Sequence, residues 1–215
     1  MITLYGTAGS PYVRKVQLVL ALKGLSFEQV QQMPFTNDPE FKKISPLGKI
    51  PALQDGELTL NDSAVICEYL EDAYPEHPVY PLDHVNKAKA RWFENLGGQR
   101  VSELASGIFF QRFMRPMVLK QESDEVLVEK IINKQLPPLL DYLESQVPSE
   151  GFLFGALGVA VISLVSPFIN ASYANYNVDA TRWPLFSAFI QRVSSHATLK
   201  PLLDAEAAMF GLNKG

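Results

Sequence analysis

Cysteine is almost missing from this chain of 215 residues: Cys67 stands alone. One thiol can form no intrachain disulfide and no cysteine cluster for zinc, which points to a reducing, cytoplasmic setting and away from metal chemistry. Basic charge is also short. Lys and Arg together number 19 against 23 Asp and Glu, a net charge of -4, so nucleic acid meets no electropositive footprint. Histidine occurs three times, and two of the three, His77 and His84, fall in or beside a proline-rich stretch, so all three read as surface residues and a Ser-His-Asp relay has little support. No G-x-S-x-G, G-x-x-x-x-G-K-[ST], H-E-x-x-H or C-x-x-C occurs, which removes the common hydrolase, nucleotide, zinc and redox signatures.

Long apolar runs are lacking too. VQLVLAL at 16–22 follows Arg14 and Lys15, but Lys23 stops it and no small-residue cleavage site comes after it, so it is no signal peptide. Residues 151–178 contain no Asp, Glu, Lys, Arg or His. Gly155, Gly158, Ser163, Ser166, Pro167 and Asn170 nevertheless divide that stretch below the roughly 20 apolar residues a spanning helix needs. A buried helix is expected there, with no membrane partner.

What is present is a 47% apolar content, enough for one large core or two small ones. Over residues 1–75 the apolar spacing alternates between the strand and helix periods. ITLY reads as a strand, and 11–23 as a helix with Val13, Val16, Leu20 and the stem of Lys23 on one side. SFEQV is a second strand and DPEFKKI a short helix capped by Asp38. PALQ and ELTL form a hairpin around Asp55-Gly56, and 63–74 returns to helix. The order β-α-β-α-β-β-α implies a mixed sheet covered by helices. PEHPVYPLD then carries three prolines in nine residues, and 76–83 reads as a linker. Helical patterns alone follow over 84–215, at about 84–117, 124–146, 158–174, 182–194 and 198–209. Gly97-Gly98 and Pro137-Pro138 fall inside two of them and are expected to bend or break the helix.

Three places in the first unit carry chemical signals that the topology can gather at one edge of the sheet. Ser10 precedes Pro11 at a helix start, an arrangement that capping alone explains. Pro51 opens a strand and leaves the backbone of Ile50 free to pair outside the sheet, which edge protection also explains. Asp62 and Ser63 begin a helix whose N-H groups and positive dipole end attract a carboxylate, and a plain cap would look the same.

Together, GSPYVRKV, ISPLGKIPAL and LNDSAVICEYLEDAYP, in this order, resemble the thioredoxin-like unit of the cytosolic glutathione transferases. The likeness extends over the whole chain and is strongest to the serine-type branches found in plants and many bacteria. It implies an α/β thioredoxin-like N-terminal domain, a linker and an all-α C-terminal domain. By this resemblance Ser63 holds the α-carboxylate of the γ-glutamyl group and Asp62 faces its amino group. Pro51 is cis, so that the backbone of Ile50 pairs with the cysteinyl part of glutathione, and Lys49 approaches the glycyl carboxylate. Ser10 donates to the glutathione sulfur. The resemblance also implies a homodimer that conjugates the co-substrate glutathione to small hydrophobic electrophiles in detoxification. A noncatalytic adaptor of the same fold, or a glutathione-dependent isomerase or peroxidase using the same site, are the alternatives.

The role of Ser10 has a physical basis of its own. A free thiol has a pKa of about 8.5, so only a few per cent is nucleophilic thiolate at neutral pH. A hydroxyl donor together with a helix N-terminus favours the anion, and lowering that pKa by two units takes about 2.7 kcal/mol. Serine cannot form a mixed disulfide, so thiol exchange is disfavoured. Cys67, a turn into its helix beside Val65 and Ile66, reads as a buried small apolar residue.

For the electrophile, SGIFFQRFMRPMV offers Phe110, Phe113 and Met117 as part of an apolar pocket wall, with Arg112 and Arg115 among them. One departure from the family stands out. The Ser/Thr-x-x-Asp capping box usual in its second domain is replaced by Gly158-Val159-Ala160-Val161, at an expected cost of about 1–2 kcal/mol. On this reading Gly158→Ser with Val161→Asp should raise the melting temperature.

Overall fold

A computed structural model describes residues 1–211. Its four strands, β1 (Ile2–Gly6), β2 (Phe27–Gln31), β3 (Ala52–Asp55) and β4 (Leu58–Asn61), form one mixed sheet in the order β2-β1-β3-β4. β1 runs parallel to β2 and antiparallel to β3, and the β3–β4 hairpin turns through Gly56 and Glu57, with positive φ at Gly56. Three helices accompany the sheet: α1 (Pro11–Leu22), α2 (Pro39–Ile44) and α3 (Ser63–Ala73). The expected β-α-β-α-β-β-α order is therefore the observed one.

α1 is buried on more than the one face its spacing suggests. Val13, Val16, Leu18, Val19 and Leu20 are all enclosed, because the helix has the sheet and α3 on one side and the helical part of the chain on the other. Lys23 is buried by charge pairing, not by its stem. Its ammonium lies 2.7 Å from a Glu71 carboxylate oxygen and donates to the Tyr74 carbonyl at 2.8 Å.

Helices make up the rest. The first runs unbroken from His84 to Leu119 but changes winding: α4 (His84–Leu96), a π-wound stretch (Gly97–Ser106), α5 (Gly107–Phe109) and a second π-wound stretch (Phe110–Leu119). Gly97 does not break it. A Cβ at Gly97 would run into the backbone of Ser163, so this glycine lets two helices touch. A second column holds α6 (Glu125–Lys130), a π-wound turn (Ile131–Gln135) and α7 (Leu136–Gln146). Pro137 and Pro138 lie inside this column directly after the π-wound turn, and the helix continues through them. α8 (Val159–Tyr173), α9 (Pro184–Ser194) and α10 (Lys200–Met209) complete the chain. Every residue of α8 from Val159 to Ala171 is buried, as its uncharged sequence suggested. Among the described residues no helix is long and apolar enough to cross a membrane.

The start of α8 has no side-chain cap at Gly158, as expected, and a backbone carbonyl supplies one bond there instead. Val159 N-H, one of the helix's unpaired donors, bonds to the carbonyl of Val79 in the proline-rich stretch at 3.2 Å. A Cβ at Gly158 would collide with that same carbonyl, and Val161 is 1% exposed. Gly158→Ser would therefore have to displace that carbonyl, while Val161→Asp would put a carboxylate where a capping box's acid accepts the N-H of residue 158.

Candidate functional site at one end of the sheet

Strand register places the three motifs side by side. Tyr5 pairs with Ala52, and Ala52 with Asn61. The exit of β1, the entry of β3 and the exit of β4 therefore share one end of the sheet. From it the chain runs through Thr7–Gly9 into α1, and from Asn61 directly into α3, so two helix N-termini open beside Pro51.

Ser10 is the cap of α1 in fact as well as in sequence. Its Oγ accepts the N-H of Val13 at 3.4 Å, which uses a lone pair and leaves the hydroxyl proton free. Asp62 caps α3, its carboxylate accepting from Ala64 N-H at 2.8 Å, and it does so at φ 78°, a left-handed conformation unusual for any residue but glycine. Ser63 beside it is buried, and its hydroxyl bonds no protein group among the described residues. The Ile50–Pro51 peptide is cis. Neither the N-H nor the C=O of Ile50 has a partner among the described residues, as an acceptor of an added strand requires. Lys49 is exposed, and its carbonyl accepts from Ser45 Oγ at 2.8 Å.

The aromatic wall is only partly where the sequence placed it. Phe113 stacks on Phe109 at 5.0 Å and meets Phe210 edge-on at 5.2 Å, and the ring of Phe210 lies against Gly9, next to Ser10. Phe110 and Met117 are exposed and take no part in that aromatic group. Arg112 turns to Glu125, 2.8 Å away, whereas the Arg115 Nε is buried without a partner among the described residues. Cys67 is fully enclosed, and burial pushes its thiol up to about 12, so it supplies no nucleophile. His77 and His84 are exposed; His196 packs on Phe152 instead. No group of three or more His, Cys, Asp or Glu able to hold a metal occurs among the described residues.

Comparison with known proteins settles the family. The model for the N-terminal domain of glutathione S-transferases matches residues 4–78. A glutathione S-transferase of Triticum aestivum is 33% identical over 189 residues, covering 86% of this chain and 84% of its own. This chain belongs to the glutathione S-transferase family. A zeta-class glutathione S-transferase of Euphorbia esula is 32% identical over 85% of this chain and 80% of its own. A solved glutathione S-transferase structure from Rhodospirillum rubrum superposes with a TM-score of 0.83 at 23% identity, covering 94% of this chain and 91% of that one.

Sequence reading missed how this transferase-family site is held from behind. Arg14 is fully buried and grips Glu206 of α10 through both Nε and Nη2, the shortest contact being 2.6 Å. Its Nη1 donates to the Ser166 carbonyl, to Ser166 Oγ and to Asn170 Oδ1 on α8. A signal was available. Ser163, Ser166 and Asn170 are polar residues inside the uncharged stretch, and their spacing of three and four puts them on one helical face.

Proposed function

We propose that this chain is a working transferase: it activates the thiol of glutathione and joins it to an electrophilic carbon of a small apolar compound. The observation that carries this is the unpartnered backbone of Ile50, lying between two helix N-termini whose first side chains are the hydroxyls of Ser10 and Ser63. In this reading Ile50 pairs with the cysteinyl backbone of glutathione. Ser63 and the N-H groups of α3 take the γ-glutamyl carboxylate, Asp62 faces the ammonium, and Lys49 the glycyl carboxylate.

With the tripeptide so placed, its sulfur meets the mouth of α1. The thiol gives its proton to water, and the Ser10 O-H then donates to the anion while its Oγ keeps the Val13 N-H. The thiolate forms a carbon–sulfur bond and the leaving group departs with the electron pair of its own bond. Ser10 acts as donor and never as nucleophile. Residues 1–75 serve as the glutathione-binding unit, and residues 84–215, with Phe113 as part of the apolar wall, bind the second substrate.

Calorimetric titration with glutathione at pH 7, together with the ultraviolet thiolate absorbance of the bound thiol across pH, tests this. Wild type should bind, Ser63→Ala should lose binding, and Ser10→Ala should bind with a thiol no longer depressed. Absence of binding at millimolar glutathione would overturn the reading in favour of an adaptor.

A further inference from the structure

Ser10 is poorly held by its own loop. Its backbone N-H reaches back to the Thr7 carbonyl at 3.4 Å, near the limit of a hydrogen bond, and the preceding Gly9 has φ 80°. What fixes the loop comes from the far end of the chain. Gly9 N-H donates to Glu206 Oε1 at 3.2 Å, and the Gly9 carbonyl accepts from Asn170 Nδ2. A Cβ at Gly9 would strike the Phe210 ring, so α10 closes on this glycine with a carboxylate and an aromatic face at once.

We propose that Glu206 and Asn170 are positioning residues for Ser10, acting through the two peptide groups of Gly9. The proposal rests on the reading of Ser10 as the thiol's donor. The Gly9 carbonyl and the Ser10 N-H belong to one peptide plane, so the bond from Asn170 sets the orientation from which the Ser10 side chain departs. Arg14, one turn along α1 from Ser10, locks the same two groups in place, donating to Asn170 Oδ1 at 2.9 Å and to the Glu206 carboxylate. Tyr173 adds a third donor to Glu206 at 3.2 Å, and burial together with that carboxylate pushes its hydroxyl up to about 12, so it stays a donor at neutral pH.

An ion pair this deep is a poor source of stability, since apolar residues of the same volume commonly hold a fold as well or better. What such a pair does supply is direction. All the acceptor capacity of Glu206 that faces α1 is spent on Arg14 and Gly9, and the Asn170 amide is spent on Arg14 and Gly9 too. The helices α8 and α10 thus set the geometry of a hydroxyl more than 150 residues away in sequence.

Two variants test this. Asn170→Asp keeps the acceptor for Arg14 and replaces the donor to Gly9 by an oxygen; Asn170→Ala removes that donor without adding a charge. Both should bind glutathione within about threefold of wild type, because Ser63 and Ile50 are untouched. The bound thiol's pKa should rise by about one unit in each, a tenfold loss of thiolate on the acid side of the titration. Hydrogen exchange of residues 7–13 should speed up in parallel. Folded variants with unchanged thiol pKa and unchanged exchange overturn the proposal, and should Asn170→Asp not fold, Asn170→Ala alone decides. A wild-type thiol that titrates like free glutathione overturns the Ser10 reading instead, and the exchange of 7–13 then decides separately whether the clamp orders the loop.

Discussion

The carbonyl of Val79 accepts the N-H of Val159 at 3.2 Å, so a residue of the proline-rich stretch caps the most buried helix of the molecule. The two residues are far apart in sequence, and the cap works only because Gly158 leaves room for that carbonyl. Gly158→Ser should therefore destabilise, by about 1–3 kcal/mol for forced overpacking. Val161→Asp buries a carboxylate whose nearby donor is the N-H of residue 158, the reciprocal bond of a capping box, so it costs less than an unpaired buried charge. For a chain of this size each kcal/mol moves the melting temperature by about 2–4 °C, so Gly158→Ser should melt about 2–12 °C lower. Circular dichroism during heating measures it, and a higher midpoint would mean that the helix start is not capped as described.

A second joint lies between α1 and α4. Lys15 and Glu94 are both buried and 2.8 Å apart, and the Tyr80 hydroxyl donates to the other Glu94 oxygen at 2.6 Å. Burial, with Glu94 beside it, holds the Tyr80 hydroxyl far above its usual titration range, so that bond persists at any ordinary pH. Lys15→Met leaves a buried carboxylate without its cation and should cost about 3–5 kcal/mol, whereas Lys15→Met with Glu94→Gln should recover most of the loss. Denaturant midpoints of the two single variants and the double close the cycle. Additive losses would show that the pair is not coupled.

The local signals in the sequence concern neighbours, and those were legible. Ser10 before Pro11, Asp38 before Pro39 and Gly56 in its hairpin act through bonds spanning two to four residues, and each lies where its local pattern put it. The three-part candidate site was legible because strand register carries such local motifs to one sheet end. Contacts between distant segments were not. Nothing near Gly158 in sequence announces Val79, nothing near Gly9 announces Glu206, and Lys23 read as an apolar stem because Glu71 lies on another helix. The outward turn of Phe110 and Met117 was hidden for a related reason: the π-wound stretch departs from the 3.6-residue period on which a helical face is read.

Asp55 closes β3 against α3 by accepting from the hydroxyls of Tyr69, at 2.8 Å, and Tyr74. The Tyr74 bond first, and that from Tyr69, hold the Asp55 carboxyl below its ordinary 3.8 despite some burial. A depressed carboxyl contributes stability that is complete above 3.8 and disappears as pH falls through the folded value. On the other side Asp55 pushes Tyr74 from 10.0 up to about 12, so the tyrosine's share is complete below 10.0 and is lost as pH rises towards 12. Asp55→Asn should accordingly be less stable than wild type across the range between those limits, with the gap closing at both ends. Unfolding midpoints at about pH 3, 7 and 11 measure this, and a gap of constant size would remove Asp55 as its cause.

Position 10 also predicts a change of chemistry. A cysteine in place of Ser10 would sit at the N-terminus of α1, where the positive dipole end and the free N-H groups lower a thiol's pKa and raise its thiolate fraction. Oxidised glutathione supplies the partner: the thiolate of the introduced cysteine attacks one sulfur, a protein–glutathione disulfide forms, and glutathione thiolate leaves. Wild type is the natural blank, because its single thiol, Cys67, is enclosed and held near 12 and should not react under the same conditions. Ser10→Cys should therefore take up one glutathione per chain at pH 7, visible by intact mass and reversed by a reductant. The uptake should depend on Ser63, since an exposed thiol without a glutathione-binding site reacts only at the slow rate set by its own pKa. Equal rates with and without Ser63→Ala would place the reactive sulfur outside any such site, and with it the hydroxyl of Ser10 in the native chain.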